Sequence, residues 1–216
     1  MGANTRGFAN LLNTDGTFLS GAINNTSVSG ITDLPTAAKS DLVLISSQTA
    51  SNDSSISFTS GIDSTYDSYI FKIVNFHPST NVDGLFVNFS TDGGSNWNVT
   101  KTTTTFISQH SENNTITELA YGNYDLAQST ADFRFSISIY TGNDESMSGT
   151  LQLFNPSSTT YVKHFMSEVN CYFASARSWN MFAQGYCNTT SAVNGVIFRP
   201  NTGNLEECTI SMYGLK

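Results

Sequence analysis

The stretch that decides the fold class is Asp132–Tyr140, "DFRFSISIY". Apolar and polar residues alternate along it, so an extended chain would place four apolar side chains on one face: Phe133, Phe135, Ile137 and Ile139. Successive side chains of a strand point to opposite faces of a sheet, and strict alternation is typical of a half-buried strand. This stretch therefore predicts a strand with one face in a core.

The same alternation recurs along the chain, for example in "GLFVNFS", "GTLQLFN" and "CTISMYGLK". Clusters of Gly, Asn, Asp and Pro separate about ten to twelve such runs, and no segment carries a convincing helical stripe. Strands without crossover helices pair antiparallel, so we predict an all-β, antiparallel two-sheet sandwich, jelly-roll-like. The predicted core contains Phe58, Phe71, Leu85, Val87, Phe89, Phe135, Ile137, Leu151, Leu153, Ile210 and Met212. The run "KTTTTF", Lys101–Phe106, is expected on an exposed strand face.

Residues 1–41 differ in kind from residues 42–216, which form the predicted sandwich domain. Apolar residues are scattered singly there among Asn, Thr, Ser and Gly, so the segment cannot build a core of its own. We predict an extended N-terminal arm for anchoring and oligomerisation, whose apolar side chains insert into a partner: Phe8, Leu11, Leu12, Phe18 and Ile23.

Composition limits the partners. The 216 residues carry a net charge of -8, and only 12% are charged, so the chain is not built to bind nucleic-acid phosphates. No apolar run reaches the length of about 18 residues that a membrane span needs, and the N-terminus lacks the pattern of a signal peptide. We therefore expect no membrane insertion and synthesis in a cytoplasm. The three cysteines, Cys171, Cys187 and Cys208, are expected to be buried free thiols.

The octapeptide "STDGGSNW", Ser90–Trp97, differs by one residue from the Asp-box hairpin repeated in sialidase propellers, with Asn96 in place of threonine. A sialidase needs several copies and a catalytic arginine cluster, whereas this chain has one copy and four scattered arginines. The motif is better explained as a structural hairpin: Asp92 bonds local backbone amides, Gly93 and Gly94 supply positive φ, and Trp97 packs beneath.

Other catalytic patterns are weaker still. His77, His110 and His164 have no Cys, Asp or Glu at metal-ligand spacing, and the nearest carboxylate pairs, such as Glu206 with Glu207, fit solvated positions better than catalysis. No nucleophile elbow or phosphate-binding loop occurs. We therefore predict no enzymatic activity, no metal and no cofactor.

Three longer phrases carry a resemblance: Ser55–Trp97, "SGTLQLFNPSSTTYVKHF" and the ending "TISMYGLK". They resemble virion structural proteins of marine bacteriophages of the cyanophage and pelagiphage types, over about residues 42–216. The resemblance implies a virion component assembled in the host cytoplasm, either a tail-fibre or appendage subunit or a capsid decoration. Its partners would be other virion proteins and copies of itself, with a trimer favoured, and a role in host attachment would involve a surface glycan.

A carbohydrate-binding module is the alternative function. Sugar rings stack on exposed aromatic side chains, and four aromatic residues near predicted loop edges are candidates for this role: Tyr121, Tyr124, Trp179 and Tyr186. Packing in the core is the competing explanation for each of them.

Overall fold

The structure, a computed structural model, describes residues 41–173 and 176–216. The part described forms one compact unit, Asp41–Lys216. Its twelve strands are β1 Leu42–Asp53, β2 Ile56–Phe58, β3 Ser68–Pro78, β4 Leu85–Ser90, β5 Lys101–Ser111, β6 Thr117–Tyr121, β7 Phe133–Arg134, β8 Met147–Phe154, β9 Lys163–Phe173, β10 Arg177–Cys187, β11 Gly195–Pro200 and β12 Leu205–Leu215. The predicted arm residues Phe8, Leu11, Leu12, Phe18 and Ile23 lie outside the described residues.

The strands form two antiparallel sheets, which confirms the predicted fold class. The large sheet has eight strands in the order β1-β12-β3-β8-β9-β10-β5-β6, and the small sheet has four in the order β2-β11-β4-β7. The chain crosses repeatedly from one sheet to the other, as expected of a jelly-roll-like sandwich. Within the described residues, no helix is long and apolar enough to cross a membrane.

The core lies between the two sheets and is rich in aromatic rings. Phe165 of the large sheet packs against Phe89 and Phe133 of the small sheet, with ring centroids 5.0 and 4.8 Å apart. At another point of the interface, Phe71 packs against Phe58 at 5.3 Å. All eleven residues predicted to be in the core are buried, none with more than 2% of its surface exposed. The three cysteines are also buried free thiols, as predicted.

Only two of the nine residues of the decisive stretch, Asp132–Tyr140, form a regular strand. Its four apolar residues are all buried, as predicted, but only Phe133 and Arg134 form a strand, β7. Beyond them the amides of Phe135 and Ser136 both donate to the Leu85 carbonyl, at 2.8 and 3.2 Å. The Ser136 hydroxyl accepts a hydrogen bond from the Leu85 amide at 2.8 Å, so a side chain replaces the backbone partner and the regular ladder ends.

The threonine run "KTTTTF" is not an exposed face. It begins β5, where Lys101, Thr103 and Thr105 point into the core and Thr104 and Phe106 point out. The threonine hydroxyls satisfy the loop that follows β6: Thr103 Oγ1 accepts from the Leu126 amide at 2.8 Å, and Thr105 Oγ1 donates to Asp125 at 2.8 Å. The expectation of exposure was wrong for the inward half of the run because the loop supplies it with polar partners.

Candidate functional site

The outer face of the large sheet, opposite the small sheet, carries an open groove of about 450 Å³. We call it the Tyr186 groove. Two rows of outward side chains run across β5, β10, β9 and β8 to form it, because Tyr186 pairs with Thr102 and His164 while Gln184 pairs with Thr104 and Met166. The lining is Thr102, Thr103, Thr104, Phe154, His164, Phe165, Met166, Gln184, Gly185 and Tyr186.

A hydrogen-bonded network at one end of the groove holds the Tyr186 ring. Gln128 donates from Nε2 to Thr102 Oγ1 at 2.9 Å and, more weakly, to the Tyr186 hydroxyl at 3.4 Å. Asn188 donates to Gln128 Oε1 at 2.6 Å. Gln128 has a φ of 48°, in the left-handed region that non-glycine residues rarely occupy. Three neighbouring side chains therefore fix a strained residue beside the ring.

The other end of the groove offers polar atoms to solvent. The side chains of His164 and Gln184 make no hydrogen bond to any residue that the structure describes, and the His164 ring lies 6.3 Å from the Tyr186 ring. Met166 is about half exposed beside them. The groove thus combines an aromatic and thioether surface with imidazole, amide and hydroxyl groups.

The four aromatic residues proposed for sugar stacking do not form one site. Tyr121 lies on the edge strand β6, largely exposed, and its hydroxyl donates to Asp125. Tyr124 is partly buried under the Arg134 guanidinium, which lies 4.2 Å from the ring centroid. Of the four, Tyr186 lines the groove that the described strands form.

Trp179 belongs to the inner side of the large sheet. It is partly buried against the core and packs edge-on against Phe173 with ring centroids 4.9 Å apart. Its Nε1 is buried and has no hydrogen-bond partner among the described residues. This indole is a packing residue, and the stacking role predicted for it does not fit its position.

The Asp-box segment forms a turn built on Asp92. Its Oδ1 accepts hydrogen bonds from the Asn96 amide at 2.9 Å and the Ser90 hydroxyl at 2.7 Å, and its Oδ2 accepts from the Asn96 side chain at 2.7 Å. The Asn96 side chain, then Ser90 and the Asn96 backbone, lower the pKa of Asp92 to about 2. Asn96, which replaces the threonine of the motif, therefore donates two hydrogen bonds to the Asp92 carboxylate.

The glycines and the tryptophan act as predicted, but the strands around them do not. Gly93 and Gly94 have φ values of 70° and 90°, and a Cβ atom at Gly94 would lie 3.1 Å from the Trp97 ring. However, β4 belongs to the small sheet and β5 to the large one. The predicted hairpin is therefore wrong in its pairing: the motif forms a turn that carries the chain from one sheet to the other.

A row of polar side chains inside the sandwich was missed by the sequence analysis. Cys187 pairs with Lys101 on one side and Lys163 on the other, and all three are fully buried. Burial lowers the pKa of Lys101 to about 8 and also lowers that of Lys163, while burial raises the pKa of Cys187 to about 12. The ammonium groups donate to backbone carbonyls, Lys101 to Ala131 at 2.7 Å and Lys163 to Tyr161 at 2.9 Å.

An ion pair between Arg199 and Asp132 lies near Lys101. Arg199 donates to both carboxylate oxygens of Asp132, at 2.6 and 2.9 Å, and Asn88 donates to Asp132 at 2.7 Å. Desolvation raises the pKa of Asp132, but the hydrogen bonds from Arg199 and Asn88 outweigh it, so the pKa is lowered overall. This pair joins the loop before β7 to β11.

Among the histidines and carboxylates named in the sequence analysis, the structure brings His77 and Glu206 together. His77 bonds Glu206 at 3.1 Å beside an acidic depression that includes Asp144 and Glu145, and His110 bonds Asn114 at 3.0 Å. In residues 41–173 and 176–216, no three His, Cys, Asp or Glu side chains form a group that could hold a metal ion. The Tyr186 groove remains the candidate site.

Comparison with known proteins returned no match: no protein-family model, no curated protein and no solved structure is significantly similar to this chain.

Proposed function

We propose that the chain is a non-enzymatic structural protein of a bacteriophage virion, either a tail-fibre or appendage subunit or a capsid-decoration subunit. The observation that supports this most is the resemblance of residues 42–216 to marine phage virion proteins, a range that nearly coincides with the compact unit Asp41–Lys216. The resembling phrases thus fall inside one folded domain.

The architecture suits a displayed subunit. The domain is built from antiparallel strands, several of them 11 residues long, around an aromatic core. Antiparallel sheets tolerate water on one face, so the outer faces and connecting loops remain available for contacts while the core keeps the scaffold rigid. Polar networks, such as those around Asp92 and Asp132, fix individual loops.

In this proposal residues 1–41 attach the domain to the particle. Each of the scattered apolar side chains would contribute about 1.5–3 kcal/mol when buried in a partner. Together they would hold the subunit on another virion protein or in a symmetric homo-oligomeric stalk, for which we favour a trimer because phage fibres are commonly trimers. The chain would reach the virion during assembly in the host cytoplasm.

The proposal is tested by locating the chain in a cryo-electron map of whole particles. A phage that encodes a chain without residues 1–40 should yield particles without the subunit, although the truncated domain still folds. A full-length Tyr161→Ala chain is the matched control, because it keeps the arm, changes only a well-exposed side chain and should be incorporated normally. Wild-type occupancy of the truncated chain would contradict the anchoring role, and a particle map without the full-length chain would contradict the virion assignment.

A carbohydrate-binding module remains the second candidate. The observation that favours it is the Tyr186 groove, where an aromatic ring and polar groups share one surface. Binding to a glycan array by a chain that is absent from particles would favour this candidate over the virion protein.

A further inference from the structure

We infer that the Tyr186 groove is a binding site for a neutral saccharide, with the Tyr186 ring as its stacking platform. This inference deepens the host-attachment part of the proposed function and rests on it for its biological setting. The groove itself is assigned from its own chemistry.

The composition of the lining differs from that of the whole protein in its charged residues. None of its ten residues is Asp, Glu, Lys or Arg, although the protein as a whole carries a net charge of -8. An anionic ligand would find no lysine or arginine here and would be repelled by the overall charge, and a cationic ligand would find no carboxylate. The groove therefore selects an uncharged ligand.

The lining is also amphipathic in the way that a sugar ring is. A pyranose has a face of C–H groups and a rim of hydroxyls, so it needs an apolar aromatic surface bordered by donors and acceptors. Tyr186, Phe154 and Met166 supply the apolar surface, and the hydroxyls of Thr102 and Thr104 lie in the same two rows. Gln128 already bonds the Thr102 hydroxyl at 2.9 Å and the Thr104 hydroxyl bonds Tyr121 at 3.4 Å, so the polar groups that a purely apolar ligand would leave without partners are those of His164 and Gln184.

The polar rim has unused hydrogen-bonding capacity. Gln184 offers an amide donor and acceptor, and His164 offers two ring nitrogens, none of them engaged by any residue of the described ranges. Both border Tyr186, Gln184 two residues before it on β10 and His164 opposite it on β9. A sugar stacked on the ring would present its equatorial hydroxyls to these groups.

The platform is held in place before a ligand arrives. Gln128 bonds Thr102 and Tyr186, and it keeps a left-handed φ of 48° because Asn188 and Thr102 fix its side chain and backbone. Strained backbone that surrounding contacts hold in place is concentrated at binding sites. The volume of about 450 Å³ falls within the range of roughly 300–1,000 Å³ that is usual for small-molecule sites.

The test uses the full chain on an array of neutral and acidic glycans, with each positive glycan then titrated by calorimetry at pH 7. We expect binding to neutral glycans only. Tyr186→Ala should weaken the affinity at least tenfold, Tyr186→Phe should keep most of it because the ring remains, and Gln184→Ala should weaken it several-fold. Tyr161→Ala is the matched control, because this tyrosine is well exposed outside the groove. The Tyr161→Ala protein should bind the glycan with the affinity of the wild type.

The thermal midpoint of each variant separates lost binding from lost folding. If Tyr186→Ala does not fold, Gln184→Ala and His164→Ala, whose side chains make no hydrogen bond in the part of the chain described, carry the test. No binding to any neutral glycan, binding confined to acidic glycans, or unchanged affinity in the groove variants would each overturn the inference. Such a failure in a chain that is still incorporated into particles would leave the proposed function standing, whereas glycan binding by a chain absent from particles would overturn only the virion assignment.

Discussion

Replacing the buried Lys101 by methionine should stabilise the protein at neutral pH and change how its stability depends on pH. The Lys101 side chain is fully buried between the sheets and donates one hydrogen bond, to the Ala131 carbonyl. Methionine is of similar length and carries no charge. The substitution therefore removes a desolvated ammonium while keeping most of the packing.

The magnitude follows from the pKa of Lys101. Burial lowers it from 10.5 to about 8, and this difference corresponds to about 3 kcal/mol of unfavourable free energy for the protonated form in the folded state. Ala131 is exposed, so its carbonyl can bond water when the ammonium is lost, at a cost of about 1 kcal/mol. At pH 7 the Lys101→Met protein should be more stable than the wild type by about 2 kcal/mol.

The advantage should disappear at alkaline pH. Below pH 8 Lys101 is protonated in both folded and unfolded states, so the penalty is constant there. Between pH 8 and 10.5 the folded state has lost this proton while the unfolded state still binds it, so the free energy of unfolding of the wild type rises with pH. The Lys101→Met protein lacks this rise.

The assay is urea denaturation of both proteins at intervals from pH 6.5 to 10.5, with the difference between their free energies of unfolding plotted against pH. Lys72→Met is the control, because it makes the same replacement at a lysine that is exposed on the outer face of the large sheet. A Lys101→Met protein that is less stable than the wild type at pH 7, with a difference that does not change up to pH 10.5, would refute a desolvated ammonium at this position.

Two further substitutions test the polar networks. Asp92→Ala should lower the thermal midpoint above pH 4, and the difference from wild type should vanish as the pH falls through about 2, because the lowered pKa of Asp92 keeps its carboxylate bonded until then; a midpoint unchanged at pH 7 would contradict the structural role of the turn. Asp132→Ala should lower the free energy of unfolding by about 2 kcal/mol in denaturant titrations at pH 7, because it breaks the paired hydrogen bonds from Arg199. This loss of stability should shrink in acid as the wild-type carboxyl is protonated. A loss of stability that stayed the same down to the lowest pH at which both proteins fold would exclude the ion pair as its cause.

The alternation of the sequence predicted burial better than it predicted pairing. Burial depends on which face of an extended chain a side chain occupies, and this is a local property. Pairing depends on partners distant in sequence: Ser136 ends the ladder of β7 by bonding Leu85, 51 residues away. The same reasoning explains the Asp-box, whose turn was predictable from its own residues while the sheets that it joins were not.

The buried lysines show a second limit of the pattern. Lys101 and Lys163 occupy inward positions of their strands, but charged residues are rarely buried, so the residue type argued against the position. What makes the burial tolerable is a set of carbonyls from loops, those of Ala131, Tyr161 and Thr189. No local feature of the sequence predicts that these carbonyls accept hydrogen bonds from the two ammonium groups.

The Tyr186 groove likewise depends on residues that are distant in sequence. Its lining comes from four strands separated by up to about 80 residues, so no motif could reveal it, although one of the proposed stacking residues, Tyr186, is part of that lining. The alternation of side chains along a strand nevertheless separates two of the proposed stacking residues. Trp179 and Tyr186 are seven residues apart in one uninterrupted strand, and an odd separation places them on opposite faces. Because the inward set of β10 includes the apolar Met181 and Cys187, Trp179 had to face the core and Tyr186 the solvent. A strand neighbour such as His164 then follows only from the register, which the structure supplies.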